Sequence, residues 1–279
     1  MLSSRLVFGA GATTALTGFC FAGLGHAAAA AACTREGLLA AANSYLAAQA
    51  SGNTADLPLS ATNFTYRQNN RAAAISTGIL SQPLAIDLNR TTADTEACAS
   101  YAMLISAATG STPYVISTQI HVVETPTNSS NGGISISMID SVVATTGSLF
   151  FDAAKTLSYI QEENWGPLDE TQRATRAELK RVGDAYLDMW TDANAADSIP
   201  WGTDCERVEG SMYTAPCGAT LPRGGSARPN GDRRYVIDET VGSVDVLCSF
   251  DSLGPWPDSH EIRLEGGLVK YVHTVTVLG

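Results

Sequence analysis

The chain has 279 residues, 28 of them Asp or Glu and 17 Lys or Arg, for a formal net charge of -11. Such acidity, with no basic run anywhere, excludes nucleic acid and anionic membrane surfaces as expected partners. After residue 32 no stretch reaches the roughly 18 uninterrupted apolar residues of a membrane helix, so no membrane span is expected once the N-terminus is removed.

Residues 1–32 run from Arg5 through an apolar stretch, Phe8 to Leu24, into a series of alanines. That order predicts a signal peptide cleaved between Ala28 and Cys33, and hence a secreted, extracellular protein. A retained signal anchor fits less well, because Gly9, Gly11 and Gly18 interrupt the apolar stretch. Removing Cys20 leaves Cys33, Cys98, Cys205, Cys217 and Cys248, an odd set for an oxidising compartment. The pairings that keep each bridge within its own half are Cys33 with Cys98 and Cys205 with Cys217, although spacing alone does not decide connectivity. One thiol is then free or bridges a homodimer. No C-x-x-C spacing points to a structural metal.

A first α+β unit is expected over 33–148. It opens with an amphipathic helix whose stripe is Leu38, Ala42, Tyr45, Leu46 and Gln49. Strands follow at Tyr114 to Val123 and Ile134 to Val143. Three N-x-S/T sequons, at Asn63, Asn89 and Asn128, make this half the expected carrier of glycans. A linking helix and loop occupy 149–168. Asp169 and Gln172 form a candidate capping box that would start the next helix.

The second unit, 169–279, repeats the first. NSYLAAQASGNTADLPLSATNFTYR from Asn43 aligns without a gap on DAYLDMWTDANAADSIPWGTDCERV from Asp184, so that Tyr45 meets Tyr186. Its helical stripe is Leu179, Val182, Tyr186, Met189 and Trp190. An irregular Gly/Pro/Ser-rich stretch from Cys217 to Asn230 precedes two hairpins, RRYVIDE with SVDVLCSF and EIRLE with LVKYVHTVTV. A helix followed by antiparallel hairpins is an α+β pattern.

The strings PWGTDCERVEGSMYT, RRYVIDETVGSVDVL and PDSHEIRLEGGLVKYVHTVTV resemble a family of secreted fungal proteins described only as a domain of unknown function. That family is similar to the nuclear transport factor 2-like superfamily, in which a curved sheet and its helices enclose a pocket. The superfamily includes isomerases, dehydratases and cyclases as well as proteins that only bind. The resemblance therefore implies two such units in tandem and no particular activity.

Register gives the sharpest expectation. A turn at Gly266-Gly267 with regular pairing sets Ile262 opposite Tyr271 and His260 opposite His273, all facing inward, with Glu261, Arg263, Glu265, Lys270 and Thr274 outward. Two neighbouring imidazoles beside Tyr271 would make an acid-base pair for dehydration, isomerisation or ring closure, chemistry that needs no metal or organic cofactor. The competing reading is a pair of core histidines satisfied by Asp258, Ser259 or the backbone. The same logic in the preceding hairpin pairs Tyr235 with Cys248 and places Glu239 at a pocket rim, with Asp238 and Asp245 outside. Tyr186, Trp190 and Trp201 are expected as pocket wall for a small hydrophobic or aromatic molecule. Arg207 and Glu209 would form an ion pair or a ligand clamp. The first unit carries Ile116, Ile120, Ile136 and Met138 where such a site would sit, so activity is expected in the second. No G-x-S-x-G, Walker or dinucleotide motif occurs. Two readings stay open: a cofactor-independent lyase, isomerase or cyclase, and a non-catalytic protein that binds a hydrophobic ligand or a host or cell-wall partner.

Overall fold

The computed structural model describes residues 33–108, 112–125 and 133–278; the expected signal peptide and the Asn128 sequon lie outside these residues. Asn63 and Asn89 are both exposed. The described residues form a mixed α/β structure with two six-stranded sheets and few helices. No helix among them is long and apolar enough to cross a membrane.

Helix α1, Arg35–Ser51, starts at Thr34, whose hydroxyl accepts from Gly37 N, and buries the expected stripe of Leu38, Ala42, Tyr45, Leu46 and Gln49. It lies over a sheet of β1 (Thr65–Gln68), β2 (Arg71–Ala72), β3 (Leu88–Asp94), β4 (Ala99–Ser106), β5 (Tyr114–Glu124) and β6 (Ile134–Ala144), in the order β2-β1-β6-β5-β4-β3. A short helix, α2 (Ala153–Ile160), follows within the stretch read as helical. Helix α3, Arg176–Asp188, then precedes β7 (Trp201–Glu209), β8 (Met212–Thr214), β9 (Gly231–Asp238), β10 (Ser243–Phe250), β11 (Trp256–Glu265) and β12 (Leu268–Thr276), ordered β8-β7-β12-β11-β10-β9. The two orders are identical, down to the parallel pairs β1/β6 and β7/β12.

The helix start differs from the expectation. Asp169 and Gln172 lie on a single 3-10 turn with no side-chain cap, and α3 begins later at Thr175, which accepts from Glu178 N at 3.3 Å. Thr175 stands to α3 as Thr34 stands to α1, so the same cap recurs in both halves. Both expected disulfides are formed, Cys33–Cys98 and Cys205–Cys217, leaving Cys248 as a buried free thiol.

Three apolar clusters organise the interior. One fills the hollow between α1 and the first sheet, a second the hollow between α3 and the second sheet, and a third joins the outer faces of the two sheets, with Tyr101, Met103, Val142, Val236, Leu247 and Val275. The third cluster overturns the expected outward face of the last hairpins. Glu261, Arg263, Asp238 and Asp245 do point away from the second hollow, but residues of the first half cover Glu261, Asp238 and Asp245, the linking loop at Trp165 and Gly166 covers Arg263, and each is 2 % exposed or less. Alternation identified the face correctly; it carried no information that another sheet lies against it.

The seam is braced reciprocally. Arg35, at the start of α1, donates to Asp238 at 2.6 Å, while Arg176, at the start of α3, donates to Asp94 at 2.7 Å. Ala93 N donates to Asp238 and Ile237 N to Asp94, each at 2.8 Å. Deeper in, Arg90 of β3 reaches Glu261 at 2.9 Å, and Arg234, its counterpart on β9, reaches Asp140 at 2.8 Å.

Candidate functional site

The residues expected as a catalytic group do not converge. Gly266 and Gly267 form the turn of the β11–β12 hairpin with φ of +57° and +80°, values that favour glycine. Pairing begins in the expected register, Leu264 opposite Val269, and then shifts, because Lys270 is an extra residue between Val269 and Tyr271. Arg263 lies opposite Tyr271, Glu261 opposite His273 and His260 opposite Thr274. A one-residue bulge exchanges the faces of everything beyond it. His260 therefore faces the second hollow, while His273 and Tyr271 face the seam. The shift keeps Val269 and Val272 together in the hollow's core and turns Thr274 and Thr276 inward.

At the seam, His273 Nε2 lies 2.9 Å from Glu163 Oε1, and its Nδ1 lies 2.8 Å from Arg90 Nη2 and 3.4 Å from Glu261 Oε2. The Trp165 ring lies 5.5 Å from His273 and 5.7 Å from Tyr271, under the Arg90 guanidinium at 3.8 Å. Burial by itself pushes His273 down, but the Glu163 and Glu261 carboxylates together outweigh it and the imidazole titrates above its ordinary value of 6.5. Burial likewise opposes ionisation of Glu163 and Glu261, and their cationic neighbours hold both below 4.5. The histidine's contribution to stability is therefore complete below its unfolded value and lost as pH rises through its folded one; the glutamates' contribution is lost as pH falls. We expect the melting temperature to decline as pH rises above the ordinary histidine value of about 6.5, and His273→Gln to flatten that decline. An unchanged slope in the variant would exclude His273 as its source.

In the second hollow, β11 presents Asp258 and His260 two residues apart on one face, and β10 sets Cys248 directly opposite Asp258. His260 Nε2 approaches Asp258 Oδ2 at 2.7 Å, yet neither ring nitrogen, nor that oxygen, has a hydrogen bond of good geometry. Asp258 Oδ1 is held by Ser259 N at 3.0 Å and Thr276 Oγ1 at 2.9 Å. Tyr186 descends from α3 to within 5.2 Å of the His260 ring, and Trp190, Trp201 and Phe250 surround the two. Tyr186 Oη, Arg207 Nε and Arg207 Nη1 are also buried without well-formed hydrogen bonds. Burial pushes the Cys248 thiol well above its ordinary range, with the Asp258 charge adding to the effect.

The first hollow provides an internal comparison. Leu104, Ile116 and Thr118 occupy the stations of Cys248, Asp258 and His260, since Leu104 pairs with Ile116 as Cys248 pairs with Asp258. There Tyr45, the counterpart of Tyr186, shares a complete hydrogen-bond chain with Thr118 and Ser141, at 2.9 and 2.8 Å. At these stations the first hollow carries two aliphatic residues and a hydrogen-bonded threonine, whereas the second carries three ionisable or ligating side chains and leaves Asp258 Oδ2 and both His260 nitrogens without a well-formed hydrogen bond. Residues 172–276 match a family model described as a domain of unknown function (DUF8021). The DUF8021 region holds α3 and the whole second sheet, including this cluster. The comparisons with curated proteins and with solved structures give no match.

Other expected site residues are dispersed. Trp201 Nε1 donates to Ala196 O, and Trp190 and Trp201 are half-buried at the rim of the DUF8021 hollow. Arg207 pairs with Glu209 at 3.4 Å and donates to Ala219 O. Tyr235 faces inward as expected but pairs with Val246, two residues from the anticipated Cys248, and its hydroxyl donates to Asp184 at 2.6 Å. Glu239 is exposed and accepts from Arg176 N. The larger concavities lie on other surfaces, including an open groove of about 700 Å³ along the outside of α3 and one of about 360 Å³ beside Asn70, Trp256 and Leu278. Sequence reasoning missed Arg90, Glu163 and Trp165 altogether and treated Asp258 only as a partner for His260. The inward period shared by Cys248 with Val246 and Val244 was the signal available for the thiol.

Proposed function

We propose that this is an exported, non-catalytic binding protein that holds one small ligand in the hollow of its second sheet. The observation that carries this reading is the set of buried polar atoms without a well-formed hydrogen bond on Asp258, His260, Tyr186 and Arg207, in a hollow whose first-sheet counterpart has Leu104, Ile116 and Thr118 at the stations of Cys248, Asp258 and His260 and a hydrogen-bonded Tyr45 hydroxyl at that of Tyr186. Buried polar groups ordinarily find partners, and a bound ligand would supply them. Export is supported by the N-terminal sequence and by two disulfides. The resemblance to secreted fungal proteins and to the nuclear transport factor 2-like superfamily suits a ligand held between helix and sheet. Separation of His260 from His273 removes the acid-base pair on which a lyase, isomerase or cyclase reading rested.

The test is the double variant His260→Phe with Asp258→Leu, which keeps comparable bulk while deleting the polar atoms. Without ligand its melting temperature should stay close to that of the wild type, because replacing His260 and Asp258 together with apolar groups is often neutral or stabilising and offsets the loss of the Ser259 N and Thr276 Oγ1 bonds to Asp258 Oδ1. Ligands from a panel of metal ions and small aromatic molecules that raise the wild-type melting temperature should leave the variant unmoved. A large fall in the variant's own stability, or an identical ligand response, would defeat the proposal.

A further inference from the structure

We propose that the ligand of the second hollow is a divalent transition-metal ion bound by Cys248, Asp258 and His260; this assignment rests on the binding reading above. One ligand atom from each of the three residues can be chosen so that all lie within 4.8 Å of one another, and all three residues are buried. A thiolate, a carboxylate and an imidazole form a mixed donor set suited to zinc or a neighbouring first-row metal, and unsuited to the all-oxygen preference of calcium or magnesium.

The surroundings fit such an ion in three respects. Asp258 has its two oxygens in different environments: Oδ1 is fixed by Ser259 N and Thr276 Oγ1, while Oδ2 makes no well-formed hydrogen bond and lies 2.7 Å from His260 Nε2. That is the division of labour between an orienting shell and a ligating atom. Neither nitrogen of His260 makes a well-formed hydrogen bond; Nε2 has Asp258 Oδ2 at 2.7 Å, and an ion bound by both would replace that one contact with two metal bonds. Charge also balances. A dication neutralises a thiolate and a carboxylate together, the thiol proton being released to solvent. The equivalent first-hollow residues, Leu104, Ile116 and Thr118, offer no such donor set.

The experiment uses the secreted full-length protein with its disulfides intact, dialysed against a chelator and incubated with cobalt(II) chloride until its absorption is constant. Wild-type protein should take up one equivalent, with a thiolate-to-cobalt charge-transfer band and the visible bands of a four-coordinate ion. Cys248→Ala should lose the charge-transfer band. Thr276→Val, which removes only the hydrogen bond orienting Asp258, should weaken cobalt affinity by about tenfold while leaving that band in place at saturation. Absence of the band in the wild type, or its persistence in Cys248→Ala, overturns the metal assignment. If cobalt is not bound but a small organic molecule still stabilises the wild type and not the His260→Phe, Asp258→Leu variant, the metal assignment falls and the binding reading stands. If neither class of ligand has an effect, both fall.

Discussion

Replacing Arg90 with methionine is expected to lower the unfolding free energy by about 3–5 kcal/mol, the usual consequence of stranding buried charge. The side chain bridges Glu163 and Glu261, at 3.3 and 2.9 Å, contacts His273 Nδ1, and lies over the face of Trp165. Glu261 is fully buried and Glu163 nearly so, so neither can recover its hydration when the guanidinium is gone. Methionine preserves much of the aliphatic packing, which confines the loss to the electrostatics and the cation-π contact. Lysine should restore little, since one ammonium cannot serve two carboxylates while stacking on the indole. Urea unfolding of wild type, Arg90→Met and Arg90→Lys measures this directly. A loss below about 1 kcal/mol in the methionine variant, the range of an exposed pair, would mean that the network does not brace the seam.

Removal of the Cys33–Cys98 bridge by the paired alanine substitutions should cost about 4 kcal/mol, and removal of Cys205–Cys217 about 3 kcal/mol, from the loop-closure entropy of the unfolded chain. The difference follows from sequence separations of 65 and 12. The first bridge anchors the start of α1 to the turn entering β4, and the second holds the β7 edge to the irregular stretch beyond β8. Chemical unfolding of each double-alanine variant gives both values in one experiment. Equal losses, or a larger loss for the short loop, would show that native contacts around the bridges outweigh chain entropy.

Local order was legible in the sequence and contacts between the halves were not. The helical stripes through Tyr45 and Tyr186, the strands and the glycine turn follow from spacing and local geometry, and both disulfides match the pairing that keeps each bridge within its own half. The fate of His273 depended on one inserted residue, Lys270. Ordinarily a misfacing strand betrays itself by exposing its apolar side, but β12 is buried on both faces: Val272 packs in the hollow and Val275 at the seam. Hydrophobicity therefore could not choose the register. Glu261, Asp238 and Asp245 read as a solvated face because each has a partner in the other half, Arg90, Arg35 and Gln119 respectively, more than a hundred positions away. No period within a strand encodes such a partner.

The crossed arginine–aspartate braces, Arg35 to Asp238 and Arg176 to Asp94, have the bonding pattern of two like subunits about a two-fold axis. In a true dimer a single substitution must appear on both sides of the axis, so any change that benefits one interior is imposed on the other. Two halves carried on one polypeptide are free of that obligation. One interior can keep leucine, isoleucine and threonine as ballast that secures the fold, while its twin accepts cysteine, aspartate and histidine at the same stations with the join between them unaltered.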